Sequence, residues 1–150
     1  MERLSIKELL AVVGGLLLGG GILAPFYAAV SPLATIADVT GRGTYSGWEA
    51  HHILRWVLLV MAIAPLILAY IVARDHQLTW ARGELTAVLS IAAVGLLLYT
   101  GVVDRPGNPP GQIELRWGWY VALLGSLLML GGSALRTGEI ERRRKPPGTI

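Results

Sequence analysis

Glu49, His51, His52 and Arg55 are the residues whose types and spacing come nearest to chemistry in this chain. An acid followed three positions later by a histidine, as in Glu49 and His52, is half of the ligand motif of di-iron carboxylate bundles. Those centres need a second such pair and two further carboxylates facing it. No other histidine here follows an acid by three. A mononuclear site could draw Asp104 and Glu114 from a later loop toward His51 and His52. Consecutive positions on a helix point about 100° apart, however, so the two histidines do not readily share one ion or one haem. The simpler reading makes Glu49 a helix cap, sets the histidines against lipid headgroups or a neighbouring loop, and lets Arg55 extend its charge into water. The chain has no cysteine, which removes thiol catalysis, disulfide exchange and thiolate metal sites.

The elements that would position these residues are four apolar stretches, about Leu9–Val30, Ile53–Val72, Leu85–Val103 and Trp117–Leu135. Each is long enough to cross a hydrocarbon core of ~30 Å as a helix. With 53% hydrophobic and 15% charged residues, arranged in blocks rather than stripes, the chain reads as an integral membrane protein. The first stretch exceeds the usual signal-peptide core, so it reads as a retained helix. The expectation is an all-α, antiparallel bundle of four transmembrane helices over 1–135, at about 9–30, 47–73, 84–103 and 117–135. A basic, partly disordered tail over 136–150 would follow.

Arg3, Lys7, Arg74, Arg82, Arg136, Arg142, Arg143, Arg144 and Lys145 fall on one side of such a bundle. Arg42, Arg55, Arg105 and Arg116 fall on the other. The positive-inside rule then puts both termini in the cytoplasm and the loops near 31–46 and 104–116 outside. The formal charge of +3 resides in the tail, where Arg142, Arg143, Arg144 and Lys145 could meet anionic headgroups or simply fix the orientation of the last helix. No face carries the basic footprint of a nucleic-acid binder.

Gly15 and Gly19 have the small-xxx-small spacing that lets helices approach closely, and Gly118, Ala122 and Ser126 repeat it in the fourth helix. Pro25 should kink or end the first helix, and the stretch 31–45 reads as an irregular loop. Ser46-Gly47-Trp48-Glu49 has capping-box spacing, opening a second helix that would run unbroken to Ala73 and bend at Pro65. Asp75 and Thr79 could cap in the next connection, with Trp80 at interface depth. Asp104-Arg105-Pro106-Gly107 stops the third helix. Trp117, Trp119 and Tyr120 read as an aromatic girdle at headgroup level.

Pro25-Phe26-Tyr27, Ser46-Gly47-Trp48-Glu49-Ala50 and Leu115-Arg116-Trp117-Gly118-Trp119-Tyr120 together resemble a broad set of small four-helix membrane proteins common in actinobacteria. That resemblance implies the architecture and a bacterial plasma membrane, and no activity. The layout is also similar to that of claudin-type proteins, without their paired loop cysteines.

The cores of the four stretches hold no ionisable group apart from Arg55 near a boundary, which argues against a proton-coupled carrier acting alone. The functional expectation is a noncatalytic subunit, without cofactor or metal, that packs with itself or with a larger membrane assembly. The alternatives are an oligomeric channel or carrier with its path between protomers, and a membrane enzyme or redox protein using Glu49, His51 and His52.

Overall fold

The computed structural model describes residues 5–74 and 84–144, with side chains as far as Arg136. The expected caps Asp75 and Thr79, the interfacial Trp80, and Lys145 with the residues after it lie outside the described residues. Helix α1, Ile6–Leu23, opens on a capping box: Ser5 Oγ accepts from the Glu8 N–H, and Glu8 Oε2 accepts from the Ser5 N–H at 2.9 Å. It ends two residues before Pro25, well short of position 30. The apolar run 25–29 leaves the helix and becomes strand β1, Pro25–Ala29.

Strands β2, Thr35–Ile36, and β3, Val39–Thr40, form a small hairpin, and β4, Gly43–Ser46, returns antiparallel along β1. The hairpin turn places Ala37 and Asp38 at φ 49° and 64°, left-handed at both central residues as a type I′ connection requires. Strand β5, Ile113–Leu115, comes from the connection between the third and fourth spans and pairs with the other edge of β1, giving the order β4-β1-β5. The all-α expectation is therefore corrected. The chain is mainly helical, with a three-stranded sheet across one end of the bundle. β1 occupies the centre of that sheet and Phe26 to Ala29 are buried, so its residues lack the alternation that marks a half-exposed strand.

The second span is also divided. Helix α2, Gly47–Ala50, closes at His51 in extended geometry (φ −129°, ψ 108°), and helix α3 then runs Leu54–Ala73 with Pro65 inside it. Helix α4, Glu84–Leu98, continues into a π-helical turn, Tyr99–Val103. A single 3₁₀ turn, Pro110–Gln112, precedes β5. Helix α5 runs Trp117–Arg144, past the expected end at 135. The added residues include good helix formers such as arginine and glutamate, and the first proline comes at Pro146. Four helical segments, Ile6–Leu23, Leu54–Ala73, Glu84–Val103 and Trp117–Arg136, are long and apolar enough to span a membrane.

The bundle is built on the contact of α1 with α5. A methyl group on Gly14 would fall 2.5 Å from the Gly125 carbonyl oxygen, and one on Gly21 would fall 2.7 Å from the Ala122 nitrogen. Glycine at these positions allows backbone to rest on backbone, where dispersion and close approach replace the hydrophobic drive that lipid does not supply. Leu18, Ile22, Leu58, Leu97 and Met129 fill the space between helices. At the sheet end Phe26, Tyr27, Ile36, Ile113 and Trp119 continue the same core.

Candidate functional site

Polar chemistry inside the protein concentrates where the third span meets the sheet. In the π-helical turn the Asp104 N–H reaches back five residues to the Tyr99 carbonyl, and the widened register changes which carbonyls the backbone can satisfy. Three carbonyls at this point receive donors from side chains outside the span. Trp119 Nε1 donates to Leu97 at 3.0 Å, Tyr27 Oη to Thr100 at 3.3 Å and Arg105 Nε to Gly101 at 2.7 Å. The Thr100 hydroxyl donates within its own helix to Leu96 at 3.0 Å, and Arg105 Nη1 also holds the Ile113 carbonyl at 2.9 Å. Gly101 makes room for this arrangement, since a methyl group there would lie 2.5 Å from the Trp119 indole.

Tyr27 is fully buried, and its hydroxyl also lies 3.0 Å from His51 Nε2. A carbonyl can only accept, so the single phenolic proton goes to Thr100. The Tyr27 oxygen then accepts from a protonated Nε2 on His51. Burial pushes the Tyr27 pKa up to about 12, partly opposed by the nearby Thr100 side chain and the charge of Arg105. Burial also holds the His51 pKa below its usual value. Both groups are therefore neutral near pH 7, and the relay His51 to Tyr27 to Thr100 is satisfied without a charge. The break after α2 is what brings His51 to this position.

The residues singled out by sequence do not converge. Glu49 completes the capping box of α2, accepting from the Ser46 N–H at 2.9 Å, and that bond lowers its pKa. His51 faces inward to Tyr27, whereas His52 is exposed and borders a shallow groove with Asp38 and Asn108. Arg55 lies over the Trp48 ring at 4.9 Å and donates to the Trp48 carbonyl at 3.3 Å rather than simply extending outward. Asp104 is exposed, and Glu114 sits beside Arg116 at 3.9 Å on the sheet edge. Among the described residues no three His, Cys, Asp or Glu side chains gather into a metal-ligand set.

The chain matches no family model, no curated protein and no solved structure. The hydrogen bonds of this site end on backbone carbonyls or on one another, so they fix the third span against β1 and α5.

The packing residues lie as follows. Gly15 faces α3, where a methyl group would fall 2.5 Å from the Ala62 carbonyl oxygen, and Gly19 is looser, 3.6 Å from Ala62 Cβ. Gly118 abuts Ala24 and the Pro25 carbonyl, Ala122 is buried against Gly21, and Ser126 is buried with its hydroxyl donating to Leu123. Arg142, Arg143 and Arg144 continue the backbone of α5. Sequence reasoning missed the tie made by Arg105 and the inward role of Trp119, which is only 4% exposed while Trp117 and Tyr120 are exposed as a girdle would be. The available signal was Arg105 next to a helix stop, a cation that would need acceptors.

Proposed function

We propose that the chain is a noncatalytic membrane subunit that packs with itself or with a larger assembly in a bacterial plasma membrane, with both termini cytoplasmic and the sheet outside. The observation that carries this reading is a contrast among glycines. Gly14, Gly21, Gly118, Gly125 and Gly132 are occupied by close contacts within the chain, whereas a methyl group on Gly20, Gly95 or Gly131 would meet nothing within 4 Å. A glycine facing lipid loses about 0.5–1 kcal/mol of helix stability against alanine without a packing return. A helix from another chain at those positions supplies the return.

The faces of α3 and α4 that point away from the bundle carry Val60, Ile63, Ile67, Val88 and Ile91. Such surfaces suit apolar contact better than an aqueous path between protomers, which favours the subunit over the channel. Native purification in mild detergent followed by mass measurement tests the reading. A defined oligomer, or a membrane protein co-purifying at fixed stoichiometry, is the expected result. A strictly monomeric chain carrying a bound metal or chromophore would overturn it and move the enzyme or redox reading to first place.

A further inference from the structure

Arg55, in the first turn of α3, has donors that the chain leaves unmet. Its Nη1 donates to the Trp48 carbonyl at 3.3 Å, but its Nε is shut off from water and meets no acceptor. Nη2 donates to none of the described residues, and among them no carboxylate pairs with the guanidinium. The acids at this end of the bundle are placed otherwise. Glu49 Oε2 holds the N–H and the hydroxyl of Ser46, Glu114 lies beside Arg116, and Asp38 and Asp104 are exposed. A charged donor is costly to bury without an acceptor, and a group from outside the chain is the ordinary remedy.

The surroundings indicate which group. Arg55 Cζ lies 4.9 Å from the centre of the Trp48 ring and 5.7 Å from that of Trp56, and the two indoles meet edge to face at 5.0 Å. The rings hold the guanidinium in place and withhold water from it, which strengthens an ionic hydrogen bond made there. Arg55 is the second residue of Leu54–Ala73, a segment long and apolar enough to span a membrane. Arginine and tryptophan at the end of such a segment stand at the level of phospholipid headgroups. Following Trp56 along α3, the exposed side chains of Val60, Ile63 and Ile67 fall on the same helix face, an apolar stripe along which an acyl chain can lie. Trp56 is itself 54% exposed, so its ring is the part of the cover that can turn aside.

We propose that the Nε–Nη2 edge of Arg55 binds the phosphodiester of a phospholipid at the sheet end of the bundle, with Trp48 and Trp56 flanking the phosphate and an acyl chain on the stripe that follows Trp56. Two non-bridging oxygens match two N–H groups in one plane, a fit that a lysine does not reproduce. The site recognises the phosphodiester and not the net charge of the headgroup. It stands whether or not the chain assembles with partners.

The test is thermal unfolding of the delipidated full chain in neutral detergent with added dioleoylphosphatidylcholine, dioleoylphosphatidylglycerol, dioleoylglycerol or inorganic phosphate. Both phospholipids should give a saturable rise in Tm. Dioleoylglycerol, which has the chains without the phosphate, and inorganic phosphate, which has no chains, should not. Arg55→Gln should lose the rise. Arg55→Lys, which keeps the charge and an aliphatic stem, should need about tenfold more phospholipid to reach half of it. Arg42→Gln, at an exposed arginine of the same end, should respond as the parent does. The proposal is overturned if either Arg55 variant matches the parent, if Arg42→Gln loses the response, if phosphatidylglycerol alone is effective, or if dioleoylglycerol or free phosphate acts equally. Native mass spectrometry of Arg55→Lys supplies a second readout: reduced retention of phospholipid against the parent supports the site, and equal retention overturns it.

Discussion

Tyr27 has one proton and two neighbours, and its replacement separates hydrogen bonding from shape. In Tyr27→Phe the ring remains, but the Thr100 carbonyl loses its donor and the His51 N–H its acceptor in a buried place. Leaving such groups unsatisfied should lower stability by about 1–3 kcal/mol in chemical or thermal unfolding. Tyr120→Phe, at an exposed tyrosine that only edges Trp119, should change little. His51 adds a pH dependence. Its folded pKa lies below the unfolded value near 6.5 because burial disfavours the charged ring. The unfolded chain therefore takes up a proton first as pH falls. This contribution to stability is complete above about pH 6.5 and is lost from there down to the folded pKa. Tm should fall with pH in that window, and His51→Gln should flatten the fall. An identical profile in parent and variant would remove His51 from the relay.

Glycines in the same helix are predicted to behave differently according to what lies opposite them. Gly15→Ala drives a methyl group into the Ala62 carbonyl and Pro65, and overpacking of this kind should destabilise by about 1–3 kcal/mol. Gly19→Ala meets only Ala62 Cβ at ordinary contact distance and should be neutral or gain about 0.5–1 kcal/mol of helix stability. Thermal unfolding of the two variants side by side checks the pair. The sequence carried the small-residue spacing but did not distinguish these positions, because the distinction depends on the rotation of α1 against α3. The four spans were legible because twenty apolar residues in a row have few other uses. Strand β1 was not: Pro25 to Ala29 extends an apolar run, and a fully buried strand has no period-two signature. The π-helical turn was also hidden, since the donors that meet the carbonyls around it, Trp119 and Tyr27, come from distant parts of the chain. The capping box of α2 was visible as Ser46 and Glu49, while the break at His51, five residues on, was not.

For the molecule as a whole, the proposed orientation makes a direct prediction. A cysteine introduced at Thr44, exposed on β4, should react with an impermeant thiol reagent in whole cells, and one at Gln77 should react only after the membrane is opened. The reverse pattern would place the sheet in the cytoplasm. The sheet has a further, mechanical consequence. β1 begins two residues after α1 ends, β4 runs directly into α2, and only Arg116 separates β5 from α5. The strands therefore act as a crossbar fixed to the first, second and fourth spans, and the third is joined to it by side chains and the stretch 104–112. Among the described spans it is the one held at that end by side-chain hydrogen bonds rather than by a strand running into it. Hydrogen exchange should find the amides of 99–104 opening more readily than those of β1, and equal protection in both would mean that the crossbar holds all four.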